Sequence, residues 1–299
     1  MSKSAIIGCM PELPEVESIK LQLQKYLVGH KIINIEIRNP KYELEKDKVL
    51  NAKIKSIRRF AKVLAIDLSS GYSIVIHIKL TGQLIYRGPN LPKVSTISQK
   101  VTGGVPGKHT HVIFKLDHGG FLYYNDVRRF GWIKVIKTAE VETSGFVGKL
   151  GPEPFGSAQG KPFTYEYFQG VLAKTKRAVK VVLMDQSKMG GVGNIYANDA
   201  LWLAGINPKK ESKKLGNEEI KKLYGAIHQV LKEGVKYGGA SELAFVTPDG
   251  QEGSYQNYTL AYGKEGTLCP RPACRQIGVK FTKYFLSGRG TYVCPNCQV

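Results

Sequence analysis

The sequence predicts an α+β multidomain protein with an antiparallel β domain led by one helix, then a helical domain, and last a cysteine-rich hairpin. The period of the hydrophobic residues supports this prediction. They recur at helical spacing at the start of the chain, at every second position over residues 31–137, and again at helical spacing after residue 163. The 299 residues are enough for two modest domains and an appendage, each with its own core.

The leading helix is predicted from its start and stop signals as well as from its period. Pro14 suits a first helical turn, and Gly29 suits the position just past the end of a helix. The apolar residues between them share one face, namely Val16, Ile19, Leu23 and Tyr26/Leu27.

Alternation of branched and aromatic residues predicts the β domain, a sandwich or a barrel. Residues 88–107 interrupt this pattern with glycine, proline and serine and are predicted to form a loop. The residues expected to share a face within each strand are Ile33/Ile35/Ile37, Leu64/Ile66/Leu68, Ile74/Ile76/Ile78 and Val112/Phe114/Leu116.

Three helices are predicted in the second half of the chain. They cover residues 163–176, 194–204 and 217–237. The glycine-rich turn at residues 190–193 leads into the second of them, so a helix–turn–helix arrangement is predicted. Residues 238–263 are polar and rich in glycine, and we expect them to form a mobile loop.

The charge of the chain indicates its partner. Lys and Arg number 44 against 24 Asp and Glu, which leaves a formal net charge of +20 and favours a polyanion such as nucleic acid. A membrane partner is disfavoured, because no basic amphipathic helix stands out and no apolar run approaches about 18 residues. The apolar patch at residues 5–10 is too short for a signal-peptide core, so we expect a cytoplasmic, nucleoid-associated protein.

Four of the five cysteines predict a metal site near the end of the chain. Cys269, Cys274, Cys294 and Cys297 form two pairs, which suits one closed tetrahedral structural Zn²⁺. So short a segment buries little apolar surface, so the metal would supply its folding energy. Between the pairs, the sequence Gly-Arg-Gly predicts a hairpin tip that presents Arg289 to a phosphate or simply to solvent.

The string MPELPEVE at residues 10–17 is the most informative motif. Taken alone, it is an acidic helix start with carboxylates at the positive end of the helix dipole. Together with later motifs it resembles the start of the formamidopyrimidine-DNA glycosylase family, and the resemblance extends over residues 10–298. The later motifs are RFAK at 59–62, NDVRRFG at 125–131, GVGNIYA at 191–197 and GRGT at 288–291.

The resemblance implies a more detailed architecture. Residues 11–140 would form a β-sandwich catalytic domain, and residues 150–263 a helix-two-turn-helix domain with a loop that caps the flipped base. Residues 264–299 would form a zinc-finger β-hairpin. Residues 1–10 would be an extension that is absent from the active form.

The resemblance also implies the chemistry. The secondary amine of Pro11 would attack C1′ of the damaged nucleotide, and a free α-amine titrates near ~7.7–8.0, so a useful fraction is neutral. Glu12 would act as the acid and base at the opening sugar. Lys62 would assist β-elimination, and Arg289 would bind phosphate and assist δ-elimination, which leaves a one-nucleotide gap.

DNA contacts follow from the same resemblance. Base excision requires the nucleotide to leave the stack, and side-chain wedges fill the space that it vacates. The expected wedges are Leu80, Arg128 and Phe130. The other expected DNA contacts, to phosphates for the most part, are Arg129, Asn194, His109 and Lys176.

The chain departs from the family pattern in three ways. Residues precede Pro11, and an amide nitrogen is no nucleophile, so we expect translation to start at Met10; proteolytic trimming and true inactivity are the alternatives. Four residues separate the first cysteine pair, where two are usual. Val127 replaces the usual proline, and Leu243 replaces a common basic residue in the capping loop.

Three functions are weighed. The favoured one is a bifunctional DNA glycosylase and AP lyase for oxidised purines (8-oxoguanine and formamidopyrimidines) in double-stranded DNA, acting as a monomer. Leu13 supports it, because the related endonuclease VIII group usually has glycine there. The alternatives are an endonuclease VIII-like enzyme for oxidised pyrimidines and an inactive zinc-containing protein that binds damaged DNA.

Overall fold

A computed structural model describes residues 10–91, 96–156 and 160–299; the predicted extension lies outside these ranges except for Met10. The described chain divides into two compact units. We call residues 10–149 and 234–256 the sandwich unit, and residues 150–233 and 257–299 the helical unit. None of the helices described is long and apolar enough to span a bilayer.

The sandwich unit begins with α1, Leu13–Leu27, and continues with two antiparallel four-stranded sheets. The order of one sheet is β1-β6-β7-β5 and that of the other is β2-β3-β4-β8. The predicted sandwich is therefore confirmed, and the barrel is excluded. The strands are β1 Ile32–Ile37, β2 Ile54–Phe60, β3 Val63–Leu68, β4 Tyr72–His77, β5 Gly82–Arg87, β6 Thr110–Leu116, β7 Phe121–Asp126 and β8 Trp132–Lys137.

One hydrophobic core joins α1 to both sheets. Ile19 and Leu23 of α1 are fully buried, as the helical period predicted, and Phe114 and Ile74 meet them from the two sheets. Each such aliphatic or aromatic side chain contributes about 1.5–3 kcal/mol when it is buried. Every residue of β3 is buried, so both faces of its sheet are covered at this strand.

Residues 238–256 lie against the outer face of the β1-β6-β7-β5 sheet. Val246 packs with Ile85 and Val101 in a second apolar cluster. The Tyr86 N–H donates to Pro248 O at 2.7 Å, and the amide of Gln83 donates to Ala244 O at 2.6 Å. Backbone carbonyls of the segment that was predicted to be a mobile loop thus accept hydrogen bonds from β5, and residues 234–256 belong to the sandwich unit rather than to the helical unit.

The helical unit contains the three predicted helices and further short helices that were not predicted. The predicted helix 163–176 is α2, Tyr165–Ala173, and a separate short helix, α3, follows at Val179–Leu183. The predicted helix ends early, at Ala173, and in the connection that follows the Thr175 hydroxyl accepts the Arg177 N–H at 3.1 Å, an alternative to helical pairing. The remaining elements are α4 Asn194–Ala204, α5 Asn217–Lys236, α6 Pro272–Gln276, β9 Thr282–Leu286 and β10 Arg289–Val293.

Candidate active site and nucleic-acid interface

Pro11 and Glu12 lie at the first turn of α1, where the sequence analysis placed the chemistry. Glu12 is the N-cap residue with extended backbone, and its own N–H donates to Glu15 Oε2 at 2.7 Å. Such reciprocal capping satisfies N–H groups that a helix start otherwise leaves without partners. Pro11 and Glu12 are both buried, Glu12 with only 1% of its surface exposed.

Glu15 also fixes the loop that follows α5. Its second oxygen, Oε1, accepts the Ala240 N–H at 2.7 Å. The preceding residue, Gly239, has a φ of +83°, and a Cβ there would lie 2.9 Å from Glu15 Cγ. Glycine is therefore required for the loop to approach the start of α1 so closely. The expected capping loop and the Pro11–Glu12 dipeptide are in this way joined through one carboxylate.

Lys62 lies in the tight turn between β2 and β3, directly after Ala61, whose φ is +52°. It is a buried residue, with 6% exposed. Arg59 anchors this turn, because its Nε donates to Glu17 Oε2 at 2.6 Å and its Nη1 donates to Ala61 O at 3.1 Å. Burial raises the pKa of Glu17, but Arg59 and Lys20 outweigh burial and hold that pKa below its ordinary value. The turn that bears Lys62 is thereby fixed to α1.

His77 is a functional candidate that the sequence analysis did not assign. It ends β4 and is buried, and its Nδ1 accepts the Lys79 N–H at 3.1 Å. Burial, together with the positive charges of Lys79 and Lys62, lowers the pKa of His77 to about 3. A neutral imidazole is therefore present near the Lys62 ammonium. The sequence could not reveal this, because a histidine at the end of an apolar strand has the same sequence pattern whether it is functional or simply part of the core.

Asp126 organises the two loops that carry the expected wedge residues. It is fully buried, and its carboxylate accepts the Gly131 N–H at 2.8 Å and the Tyr42 hydroxyl at 3.2 Å. The Thr81 hydroxyl donates to the other oxygen and accepts the Arg128 N–H at 3.0 Å. Thr81 therefore connects the loop of Leu80 to the loop of Arg128.

The expected wedge residues are accessible. Phe130 is 54% exposed, and Arg128 covers its ring with the guanidinium 4.6 Å from the ring centroid. Leu80 is half-buried on the joined loop. Arg129 has a φ of +55°, and the Lys41 ammonium binds its carbonyl. An exposed aromatic ring beside two arginines fits insertion into a base stack, whereas a core role for Phe130 is excluded.

His109 lines a basic concavity of the sandwich unit. The cavity has a volume of about 490 Å³ and is also lined by Arg38, Lys108, His111 and Arg129. The backbone of His109 is fixed, since its carbonyl accepts the Asp126 N–H at 3.0 Å. Three cationic side chains and two imidazoles around one concavity suit a phosphate group, as the sequence analysis expected of His109.

In the helical unit, Asn194 is the first residue of α4, and the glycine-rich turn precedes it as predicted. Its backbone and side-chain oxygens accept hydrogen bonds from the Asn198 amide at 2.7 and 3.3 Å. The N–H groups at this helix start suit an anion. Lys176 lies in the connection between α2 and α3 and is exposed. Both placements are compatible with phosphate contacts.

Arg289 begins β10 and is exposed beside the tight turn with β9, as the hairpin prediction required. A second residue that the sequence analysis did not assign, Lys180, fixes this hairpin. It is 1% exposed, and its Nζ donates to Gly290 O and to Thr291 Oγ1, both at 2.8 Å. A lysine in the apolar helix α3 gave no sign of this role, because its partners lie 110 residues away.

The four cysteines converge as the spacing predicted. Their sulfur atoms all lie within 4.8 Å of one another, with Cys274–Cys294 at 3.6 Å and Cys269–Cys297 at 3.9 Å. Four sulfurs around one zinc at about 2.3 Å would be about 3.8 Å apart. The cluster therefore fits a tetrahedral ion with thiolate ligands.

The unusual spacing of the first cysteine pair has a structural explanation. Arg271, one of the four intervening residues, donates from Nη2 to Trp202 O at 2.6 Å and to Leu203 O at 3.0 Å. These carbonyls belong to the last turn of α4, where helical partners are missing. The longer connection thus caps α4, and Pro272 starts the short helix α6 that places Cys274.

Comparisons with known proteins identify the family of the chain. Residues 10–133 match the model of the formamidopyrimidine-DNA glycosylase N-terminal domain, and residues 150–245 match that of its H2TH domain. The chain is 37% identical over 295 residues to the formamidopyrimidine-DNA glycosylase of Pelotomaculum thermopropionicum, covering 97% of this chain and 99% of the relative. It is 36% identical over 296 residues to that of Desulforamulus reducens, with the same coverage.

Solved structures agree as well. The Lactococcus lactis Fpg in a complex with DNA containing an abasic site has a TM-score of 0.80 and 32% identity, covering 96% of this chain and 99% of that one. The Thermus thermophilus MutM (Fpg) protein has the same score and identity, covering 96% and 98%. The chain belongs to the formamidopyrimidine-DNA glycosylase family, which confirms the resemblance seen in its motifs.

Proposed function

We propose that the chain is a bifunctional DNA glycosylase and AP lyase of base excision repair that removes oxidised purines from double-stranded DNA. Family membership supports glycosylase activity. One observation supports the proposal that a flipped base is excised at Pro11–Glu12. Glu15 links the helix start at these residues to the loop at Ala240 by two hydrogen bonds. Leu13 supports the choice of oxidised purines over pyrimidines, because the related endonuclease VIII group usually has glycine at this position.

The proposed reaction begins with the Pro11 amine, which must be the first residue of the working enzyme. Its nitrogen forms a bond to C1′, and the glycosidic bond breaks, with its electron pair leaving on the base. The sugar ring opens as an iminium forms, and Glu12 delivers a proton to the ring oxygen. The family model begins at residue 10, which supports translation from Met10 followed by removal of that methionine.

Strand cleavage would follow from the iminium as an electron sink. Removal of a C2′ proton expels the 3′ phosphate by β-elimination, and a second elimination expels the 5′ phosphate. We assign Lys62 to the first elimination and Arg289 to phosphate binding and to the second. Water then releases the sugar remnant from Pro11, which leaves a gap of one nucleotide.

DNA would be bound by the exposed residues described above. Arg128, Phe130 and Leu80 would fill the space of the flipped nucleotide, which costs a few kcal/mol to unstack. Arg129 and Lys176 would neutralise phosphates, and Asn194 and His109 would bind phosphates through hydrogen bonds. Cys269, Cys274, Cys294 and Cys297 would hold one structural Zn²⁺, which when bound stabilises the hairpin of Arg289. We further propose a monomer that acts in the cytoplasm at the nucleoid.

An excision assay tests the proposed substrate class. Duplexes carry one 8-oxoguanine, one formamidopyrimidine, or one oxidised pyrimidine such as 5-hydroxycytosine, and the products are resolved on a denaturing gel. We expect both purine lesions to be excised at least about tenfold faster than the pyrimidine, with a one-nucleotide gap. Faster excision of the pyrimidine would support the endonuclease VIII-like alternative, and binding without excision would support an inactive protein.

A further inference from the structure

A group of two histidines and one aspartate lies in the sandwich unit, apart from the residues assigned above. His30 follows α1, and Asp117 and His118 form the turn after β6. One ligand atom from each of the three lies within 4.8 Å of the other two. We propose that His30, Asp117 and His118 form a second metal site, open to solvent, for a divalent cation with affinity for imidazole, such as Zn²⁺, Ni²⁺ or Cu²⁺.

The donor set fits such a cation. His30 Nδ1 lies 2.9 Å from one carboxylate oxygen of Asp117, and His118 Nε2 lies 3.9 Å from the other. The shorter distance is a hydrogen bond between His30 Nδ1 and Asp117 Oδ1, which a bound cation would replace. Donors bound at about 2.0–2.1 Å in tetrahedral geometry would be separated by about 3.3 Å, so this pair would have to move apart by only about 0.4 Å. Imidazole with carboxylate is a donor set that suits zinc, nickel and copper, whereas calcium and magnesium favour oxygen ligands throughout.

The backbone holds the donors in place without a metal. The Asp117 N–H donates to Lys31 O at 2.9 Å, and the Ile54 N–H donates to His30 O at 2.8 Å. Residues 30 and 117 flank the first pair of the β1–β6 ladder, Ile32 with Leu116. His118 has φ 58° and ψ 21°, the left-handed conformation, which turns the chain just after the carboxylate.

The exposure of the three side chains indicates a metal site that is open to solvent. The exposed fractions of the side chains are 20% for His30, 25% for Asp117 and 75% for His118. Three protein donors leave at least one position for water, so the site differs from the closed cysteine cluster. An ion there would tie the segment after α1 to the β6–β7 turn. We expect a moderate affinity, because one of the three donors, His118, is largely solvated and the set carries one negative charge in total.

Calorimetry with Ni²⁺ as the probe tests the proposal on full-length protein without an affinity tag, at pH 7.5. The parent is expected to bind about one equivalent of Ni²⁺ without releasing zinc, which a chromogenic chelator monitors. His118→Asn is the key variant, because asparagine tolerates the left-handed conformation but lacks the ring. We expect this variant to weaken Ni²⁺ binding by at least about tenfold, and we expect the same of His30→Asn.

His109→Asn is the matched control, since it removes another histidine of the same unit. This variant should still bind about one equivalent of Ni²⁺. Ni²⁺ should also raise the melting temperature of the parent but not that of His118→Asn. No uptake by the parent, undiminished uptake in both ligand variants, or uptake matched by zinc release would each overturn the proposal. These outcomes are independent of lesion excision, so the proposal can fail or hold apart from the proposed function.

Discussion

The carboxylate of Glu15 joins Glu12 to Ala240, because Oε2 accepts the N–H of Glu12 and Oε1 accepts that of Ala240, each at 2.7 Å. The start of the helix that bears Pro11 and the loop expected to cover the damaged base therefore share one buried group. We therefore expect a change in the loop position to reach the helix start beside Pro11, the proposed nucleophile, through these two hydrogen bonds.

We predict that Glu15→Gln slows the excision of 8-oxoguanine by about tenfold or more, because glutamine has one acceptor where two N–H groups need partners. A buried hydrogen bond left unmade costs ~1–3 kcal/mol. Cleavage at a preformed abasic site should change less, since no base remains for the loop to cover. Single-turnover rates on the two substrates measure the difference, with Glu140→Gln as an exposed control. Equal losses on both substrates would contradict the loop's part in this account.

Replacement by methionine should have different effects at two lysines of the helical unit, on the cleavage products at one and on DNA affinity at the other. Lys180→Met removes the buried bonds to Gly290 and Thr291, so the hairpin of Arg289 should lose its position. We predict that products of β-elimination accumulate at the expense of the one-nucleotide gap. Lys176→Met, at an exposed position, should instead weaken binding to DNA of all sequences. The slope of log affinity against log salt concentration should also become shallower by about 1, because one phosphate contact is lost.

Gel analysis of the cleavage products and fluorescence anisotropy at several salt concentrations separate the two variants. The account would fail here if Lys180→Met left the ratio of β- to δ-elimination products unchanged while the protein remained folded.

His77 should make the stability of the protein depend on pH. Its pKa is about 6.5 in the unfolded chain and about 3 in the folded protein, so between these values only the unfolded state binds the proton. The stabilisation is complete above pH 6.5 and is lost as the pH falls toward 3. From pH 7.5 to 5.5, the loss from this group is about 1.4 kcal/mol.

Urea denaturation gives the free energy of unfolding of the parent and of His77→Gln at pH 7.5 and at pH 5.5. The difference between the two proteins in the change with pH is the contribution of His77. Glutamine can accept the Lys79 N–H but does not titrate, so the variant should lose about 1.4 kcal/mol less than the parent. The same pH dependence in both proteins would show that His77 titrates normally in the folded state.

Metal removal should affect DNA binding through the hairpin. We predict that chelation, or Cys294→Ser, abolishes tight DNA binding, because the segment that carries Arg289 loses its folding energy. Metal content by mass spectrometry and DNA affinity are measured on the same sample, and zinc is then restored to the chelated parent. Recovery of affinity is expected for the parent only. Unchanged affinity after verified metal loss would contradict the prediction.

Much of this fold and site could be predicted from the sequence, because local patterns encode it. The period of Ile19 and Leu23 predicted α1, and the pairing of Cys269 and Cys274 with two later cysteines predicted the cluster. Lys180 and His77 were missed, since their roles depend on partners or charges that only the tertiary structure brings together. The early end of the predicted helix 163–176 was missed because one hydroxyl, that of Thr175, competes with helical pairing.

Pro11 remains the residue on which the proposed chemistry depends. Borohydride reduction of the enzyme on a duplex containing 8-oxoguanine, followed by mass spectrometry of the trapped peptide, identifies the attacking amine and the first residue of the chain together. The account predicts an adduct on the nitrogen of Pro11 in a chain that begins at Pro11. An adduct on a lysine, or trapping by a chain that still begins before Pro11, would contradict it.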